Sequence, residues 1–272
     1  MAAIETHEKK DVSDLMASLN AVGEALRPKL SHIVTAELSA DDAAIEEGAK
    51  KVHFIRHGQG HHNVAQSEWR AAGKEGEPFW VSTDPEFDFL DAELTPLGEQ
   101  QAADLRPRTA QLDPEVMIVS PMRRATQTGL LAFEDHVAGT RPNDKPPMKV
   151  LAHEAAHEIA GKHTCDKRLT KTELAARWGA VIDYSLVEHE EDPFWGDGSV
   201  REPHTDLAAR AAALVAFIHG RAERHFVVAA HSTILATLMN SVLVVAGDDS
   251  GSARSWFGTG EMRTFLLRWK AQ

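Results

Sequence analysis

The chain has almost no cysteine, no long apolar run and no excess of positive charge. Cys165 is the single cysteine in 272 residues, so no disulfide can form within the chain, and a reducing compartment fits. No stretch reaches the roughly 18 uninterrupted apolar residues of a membrane-spanning helix. The opening Met-Ala-Ala-Ile-Glu-Thr-His-Glu-Lys-Lys-Asp lacks the apolar centre of a secretion signal and is too acidic for a transit peptide. A cytoplasmic location is the expectation. Lysine and arginine number 29 against 41 acidic residues, a formal charge of −12. That field repels nucleic acids and anionic membranes, so neither is expected as a partner. A homodimer stays open, and an anionic small molecule can still bind in a locally basic pocket. Internal repeats and low-complexity tracts are absent.

With 43% hydrophobic residues, the chain can bury a sizeable core as one large domain or one domain with an extension. Residues 1–48 read as a helical extension. Leu15, Leu19, Val22, Leu26 and Leu30 recur at helical spacing, with Pro28 near the end, and a second acidic helix is predicted over Ser39–Gly48 behind a Ser39 or Asp41 cap. Packing or an oligomer contact is the role expected for both.

Residues 49–272 read as one layered α/β domain, because short apolar runs alternate with helical patterns. Strands are predicted at Val52–Ile55, Val116–Ser120, Met148–His153, His225–Ala230 and Arg263–Trp269. Helices are predicted at Val64–Ala72, Thr95–Leu112, Arg123–His136, Thr170–Trp178, His204–Glu223 and Ser232–Val245. The stretch Gly73–Asp91, holding Trp80, Phe87 and Phe89, reads as a long loop or lid.

Chemistry collects where strands give way to helices, the place at which open α/β sheets bind ligands. In Lys51-Val52-His53-Phe54-Ile55-Arg56-His57-Gly58-Gln59-Gly60-His61-His62-Asn63 a β-type run ends in Arg-His-Gly. Glycine lets the backbone approach a ligand, the following helix offers free amides to an anion, Arg56 adds a planar donor fork and Asn63 an uncharged donor. Ser120-Pro121-Met122-Arg123-Arg124 places two arginines in the first turn of a helix, where they oppose the helix dipole unless an anion lies between. Ala229-Ala230-His231-Ser232 repeats the device with a second strand-end histidine and a serine suited to capping.

These segments, with Leu94-Thr95 and Gly98 and with Gln127-Thr128, stand in the order seen in the histidine phosphatase superfamily. The chain resembles its phosphoglycerate mutase-like branch (branch 1) over residues 51–269. Within the branch it is most similar to the plant and fungal phosphoglycerate mutase-like proteins, through Gln59-Gly60-His61-His62-Asn63-Val64, Asp91-Ala92-Glu93-Leu94, Cys165-Asp166-Lys167-Arg168, Val181-Ile182-Asp183-Tyr184-Ser185-Leu186 and Val200-Arg201-Glu202-Pro203. The resemblance implies a three-layer αβα sandwich with a mostly parallel central sheet, no cofactor, and a phosphohistidine intermediate. By position it makes His57 the nucleophile. Arg56, Asn63, Arg124 and His231 then hold the phosphoryl oxygens, with Gly58, Gln59, Gly60 and Ser232 in the same pocket. Arg124 is preferred to Arg123, since the family's arginine lies two positions after the Met or Leu. A glutamate before Cys165 is the proton donor, Glu158 first and Glu154 second. His53, His61 and His62 are left as bystanders or pocket rim. The sequence departs from the family around His231, where Ala230 precedes the histidine and Thr233-Ile234 follow Ser232 in place of the usual Gly-Phe.

The expected function is a phosphomonoester hydrolase acting on a small phosphorylated metabolite. A phosphomutase using the same intermediate and a non-catalytic phosphate-binding regulator are the alternatives. A further one comes from His153-Glu154-Ala155-Ala156-His157, a zinc-protease H-E-x-x-H with His163 at the third-ligand spacing. It would need His153 and His157 on one face of a helix, and the run into His153 reads better as a strand.

Overall fold

The strands at the middle of the sheet carry apolar residues on both faces, and helices must cover both. The computed structural model describes residues 2–73, 89–141 and 145–271, with backbone alone for 2–11. In chain order the elements are α1 (Ala2–Leu26), β1 (His32–Leu38), β2 (Ala49–Arg56), α2 (His61–Ala71), α3 (Pro96–Ala103), α4 (Arg106–Thr109), β3 (Val116–Val119), α5 (Arg123–Ala132), α6 (Glu134–Ala138), β4 (Lys149–Ala152), α7 (Lys171–Trp178), α8 (His204–Gly220), β5 (His225–Ala230), α9 (Ser232–Thr237), β6 (Val244–Ala246) and β7 (Met262–Ala271). The strands form one sheet in the order β4-β3-β5-β2-β7-β1-β6. β7 runs antiparallel to both neighbours; the other pairings are parallel.

The two-residue period of a strand divides β3 and β5 between two cores. Val116, Ile118, Phe226, Val228 and Ala230 join Phe54, Leu207, Leu214 and Ile218 on one face. Met117, Val119, Val227 and Ala229 join Ile55, Phe133 and Leu174 on the other. The sandwich is therefore three-layered, with helices over both faces of a mostly parallel sheet.

The segment 1–48 is not helical throughout. β1 lies inside the sheet, paired with β7 and β6, and buries Val34 and Ala36. Ser39–Gly48 forms no helix. Asp41 there accepts from Arg108 Nε at 2.6 Å and from Thr264 Oγ1 at 2.5 Å, and its carbonyl accepts from Lys51 Nζ at 2.7 Å. Bonds to distant side chains take the place of a helical ladder. The helix expected over Thr95–Leu112 breaks between α3 and α4, where Pro107 cannot supply an amide to a continuous helix. Arg123–His136 likewise divides at Phe133. After α9 the chain makes a π turn, Leu238–Val242, then leaves as β6. Residues 74–88 of the expected Gly73–Asp91 loop, with Trp80 and Phe87, lie outside the described residues.

α1 is docked rather than appended. Leu19 is 0% exposed, its carbonyl accepts from Ser241 Oγ at 2.7 Å, and Arg27 Nη1 donates to the Asn240 carbonyl at 3.1 Å. A Cβ on Gly23 would lie 2.7 Å from Ser241 Cα, so glycine sets the helix crossing distance. Leu19→Ala is expected to cost roughly 2–5 kcal/mol in urea unfolding. A loss below about 0.5 kcal/mol would mean that α1 contributes nothing to the core.

His53 on β2 and His225 on β5 share one hydrogen bond, Nε2 to Nε2 at 2.6 Å, while His53 Nδ1 meets Thr264 Oγ1 at 2.8 Å. Burial, then His225, pushes His53 down to about 3; burial, then Lys51, pushes His225 down to about 4. Unfolded imidazoles titrate near ~6.5. Between that pH and about 4 the unfolded chain takes up protons that the folded chain refuses, so stability falls with falling pH. The slope is at most about 1.4 kcal/mol per pH unit for each histidine. The urea midpoint should drop across this window, and drop less in His53→Gln; equal drops would remove the pair as the cause.

Candidate active site

β2 and β5 are parallel neighbours, so their carboxyl ends open side by side. The register sets Arg56 opposite Ala230, and the His57 amide donates to the Ala230 carbonyl at 3.0 Å. His57 and His231 follow directly, with ring centroids 5.1 Å apart. β3 ends beside β5, where the Ser120 amide donates to the Ala229 carbonyl at 2.9 Å, and the chain turns into α5 with Arg124 in its first turn.

His57 is 2% exposed. Its Nδ1 lies 2.7 Å from the Gly58 carbonyl oxygen, which can only accept, so Nδ1 carries the proton and Nε2 keeps a lone pair. Burial, then Arg124 and Arg56, holds the imidazole well below its usual range, against the pull of the Gly58 carbonyl. The ring is neutral at ordinary pH, with the Nε2 lone pair free.

Arg56 Nη1 donates to the Phe257 carbonyl at 2.6 Å. Arg124, 1% exposed, donates from Nη1 to the Cys165 carbonyl at 2.5 Å and from Nη2 to Asp166 Oδ1 at 3.0 Å. Arg123 turns away and binds Asp91, Glu93 and the Leu90 carbonyl. His231 Nε2 meets Ser120 Oγ at 2.8 Å. Asn63 Oδ1 accepts from the Gly60 amide at 2.9 Å, which turns the amide's donor nitrogen the other way. Among the described residues seven buried side-chain nitrogens or oxygens have no partner, and four surround His57: Arg56 Nε, Arg124 Nε, His231 Nδ1 and His62 Nδ1. Arg56 Nε and Arg124 Nε can only donate, buried donors are seldom left unsatisfied, and an oxyanion meets that need.

Glu158, 6% exposed, sits where three amides converge. Its Oε1 accepts from Ile159 N at 2.8 Å and Ile234 N at 3.2 Å; its Oε2 accepts from Thr233 N at 3.1 Å and Ser232 Oγ at 3.4 Å. The carboxylate caps α9, the task that the sequence suggests for Ser232. Glu154 instead pairs with Arg168, Nη2 to Oε1 at 2.7 Å. The H-E-x-x-H pattern does not build a zinc site. Glu154–Ala156 is a 3-10 turn, His153 Nδ1 accepts from the Ala155 amide, and both His157 nitrogens are taken, by the Glu158 carbonyl and by Asp192. His163, Cys165 and Asp166 bring one ligand atom each within 4.8 Å of the others, but Asp166 already serves Arg124 and Arg201, cations that oppose a metal ion.

The residues enclose a cavity of about 520 Å³ lined by Arg56, His57, Gln59, Asn63, Arg124, Glu158 and Ser232, together with His62, Arg70, Asp166, Arg201, Thr233 and Trp256. Gly58, Gly60 and His231 are not in its wall, His231 being fully buried behind it. A Cβ on Gly58 would lie 2.3 Å from the Gly98 carbonyl oxygen, and one on Gly60 would lie 2.6 Å from His62 Nδ1, so close packing requires both glycines. α2 starts at His61, earlier than its apolar pattern suggests, and that brings His62 inward. Sequence reasoning left His62 as a bystander or pocket rim, and it lies in the wall; Asp166 and Arg201 were given no role, although the Cys165-Asp166-Lys167-Arg168 and Val200-Arg201 segments were available signals.

Asp166 joins Arg124 to Arg201, whose Nη2 lies 2.8 Å from Oδ2. Against burial, Arg201 and Arg124 hold its carboxyl down at about 2. Removing that charge strands two guanidinium groups, so Asp166→Asn should destabilise by about 3–5 kcal/mol. Added phosphate should raise the melting temperature of the variant more than that of the wild type. An equal response in the two proteins would mean that the anion does not compensate this charge.

Residues 76–253 match the model of the histidine phosphatase superfamily (branch 1), and the chain belongs to that superfamily. The matched stretch holds Arg124, Glu158 and His231 and begins after His57. The chain is similar to a phosphoglycerate mutase-like protein of Arabidopsis thaliana, 36% identical over 214 residues that cover 71% of this chain and 74% of that one. It is also similar to phosphomutase-like protein 3 of Candida albicans, 30% identical over 201 residues, 71% of this chain and 60% of that one. Among solved structures, the ecdysone phosphate phosphatase from Bombix mori in complex with tungstate shares the fold, with TM-score 0.50 at 14% identity over 79% of this chain and 88% of that one. The protein is thus an enzyme of the phosphatase/mutase type. No helix among the described residues is long and apolar enough to cross a membrane.

Proposed function

We propose that the protein hydrolyses a small phosphorylated metabolite through a phosphohistidine on His57. The observation that carries this reading is the group of unpartnered buried donors around a neutral imidazole with a free Nε2 lone pair. His57 Nε2 attacks phosphorus in line, while Arg56, Arg124, Asn63 and His231 hold the nonbridging oxygens; positioning and electrostatics carry most of the rate. Glu158 gives a proton to the departing alkoxide and takes one from the water that cleaves the phosphohistidine. The Ser232 hydroxyl, 3.4 Å from Glu158 Oε2, can donate or accept and so suits either form of the carboxyl. A cavity of about 520 Å³ is the size of a small-molecule site. The mutase-like names of the relatives favour a second reading, return of the phosphoryl group to a substrate hydroxyl.

Turnover of p-nitrophenyl phosphate, with release of inorganic phosphate and an acid-labile phosphoenzyme, tests the scheme. His57→Ala should abolish both with the fold intact, and more than a few per cent residual activity overturns the nucleophile. Glu158→Gln should slow turnover by roughly 10²–10⁴-fold and Glu154→Gln by far less; the reverse order moves the proton donor to Glu154. Isomerised phosphoester in place of phosphate favours the mutase.

A further inference from the structure

His62 is a cavity residue whose chemistry the scheme above leaves unused. Its neighbour His61 is exposed, whereas His62, in the first turn of α2, is 5% exposed. Its ring centroid lies 5.6 Å from that of His57, in the wall of the same cavity. Other buried histidines here are bonded: His136 Nε2 to the Leu112 carbonyl at 3.1 Å, and His157 through both nitrogens. Neither nitrogen of His62 bonds to a described residue, and Nδ1 is fully buried without a partner.

The surroundings of Nδ1 decide the tautomer. The Nδ1/Cε1 edge rests on Gly60, where a Cβ would lie 2.6 Å from Nδ1 and 2.7 Å from Cε1. A buried N–H with no acceptor is rarer and costlier than a buried lone pair with no donor. The proton therefore resides on Nε2, the nitrogen farther from the backbone. Burial, then Arg124 and His57, disfavours a second proton, against Asp166. The ring adds a donor without adding charge, so unlike Arg124 it needs no carboxylate to offset it.

Resting on the phosphoryl-transfer reading of the site, we propose that His62 is a further substrate-contacting residue. Its Nε2–H donates a hydrogen bond to a nonbridging oxygen of the phosphoryl group at His57. It acts as a neutral hydrogen-bond donor and transfers no proton.

Glutamine carries its amide nitrogen at about the reach of histidine Nε2, asparagine at that of Nδ1, and phenylalanine keeps a ring with no donor. Orthovanadate affinity by titration calorimetry, and kcat/KM on p-nitrophenyl phosphate, are to be measured for His62→Gln, His62→Asn and His62→Phe, with circular dichroism to verify folding. A donor to an anion predicts a loss of roughly 10- to 100-fold in both quantities for Phe and Asn, and recovery by Gln to within about threefold of wild type. His61→Ala should stay near wild type. If Phe does not fold, the difference between Gln and Asn carries the test. Loss by Gln equal to that by Asn, or wild-type affinity in Phe, overturns the role of His62 and leaves the function standing. A wild-type chain that neither binds vanadate nor turns over the ester overturns both.

Discussion

A cation buried as deeply as Arg124 must find a counter-charge within the fold, and much of the site follows from how it does so. Its guanidinium is held by the Cys165 carbonyl and by Asp166, so the loop between β4 and α7 has to reach the end of β3. Asp166 also receives Arg201, which comes from the separate stretch before α8 and donates to the Gly161 carbonyl of the same loop at 2.6 Å. Three distant stretches are fixed by one carboxylate. The same guanidinium presses protons off His57, His62 and His231, after burial itself. One buried charge thus orders the loops and, with burial, keeps the His57 imidazole neutral.

The sheet supplies the remaining geometry. Because β2 and β5 are adjacent and parallel, residues that follow each strand by one position emerge together. Helix α9 begins at this edge, and its first amides meet the Glu158 carboxylate, which approaches from the turn after β4. A helix terminus draws the carboxylate toward His57, so the same bond closes the helix and delivers the proton donor proposed for the reaction.

This explains which parts were legible in the sequence. His57, His231 and Arg124 stand at local strand-to-helix transitions, and apolar runs announce those. The buried strands β3 and β5 were legible for the same reason. β1 was not, because two inward residues, Val34 and Ala36, leave too weak an alternation after a strong helical pattern. β6 has three residues, none of them buried. Ser39–Gly48 has helical composition but is held by Asp41 and Lys51 across the sheet edge, which no local pattern records. Gly58 and Gly60 read as ligand-facing glycines, yet their missing side chains serve Gly98 and His62. His62 looked idle because a sequence cannot show whether a ring nitrogen has a partner.

The choice between Glu158 and Glu154 turns on the same kind of pairing. Glu154 is matched by Arg168, which also binds the carbonyls of His189, Glu190 and Glu191 and so ties down the following loop. Glu158 is flanked by two further pairs. His157 and Asp192 meet at 3.0 Å, both fully buried; burial works against the imidazolium, but Asp192 outweighs it and raises the pKa of His157. Arg210 pairs with Glu202 at 2.7 Å and donates to the carbonyls of His157 at 2.5 Å and Glu158 at 2.9 Å. Each pair is closed on itself, so the clamp grips the backbone on both sides of Glu158 while adding little net field. A clamp built from one unpaired charge would have gripped as firmly, but it would have left that charge uncompensated in the buried wall of the site, where an unpaired ion is costly.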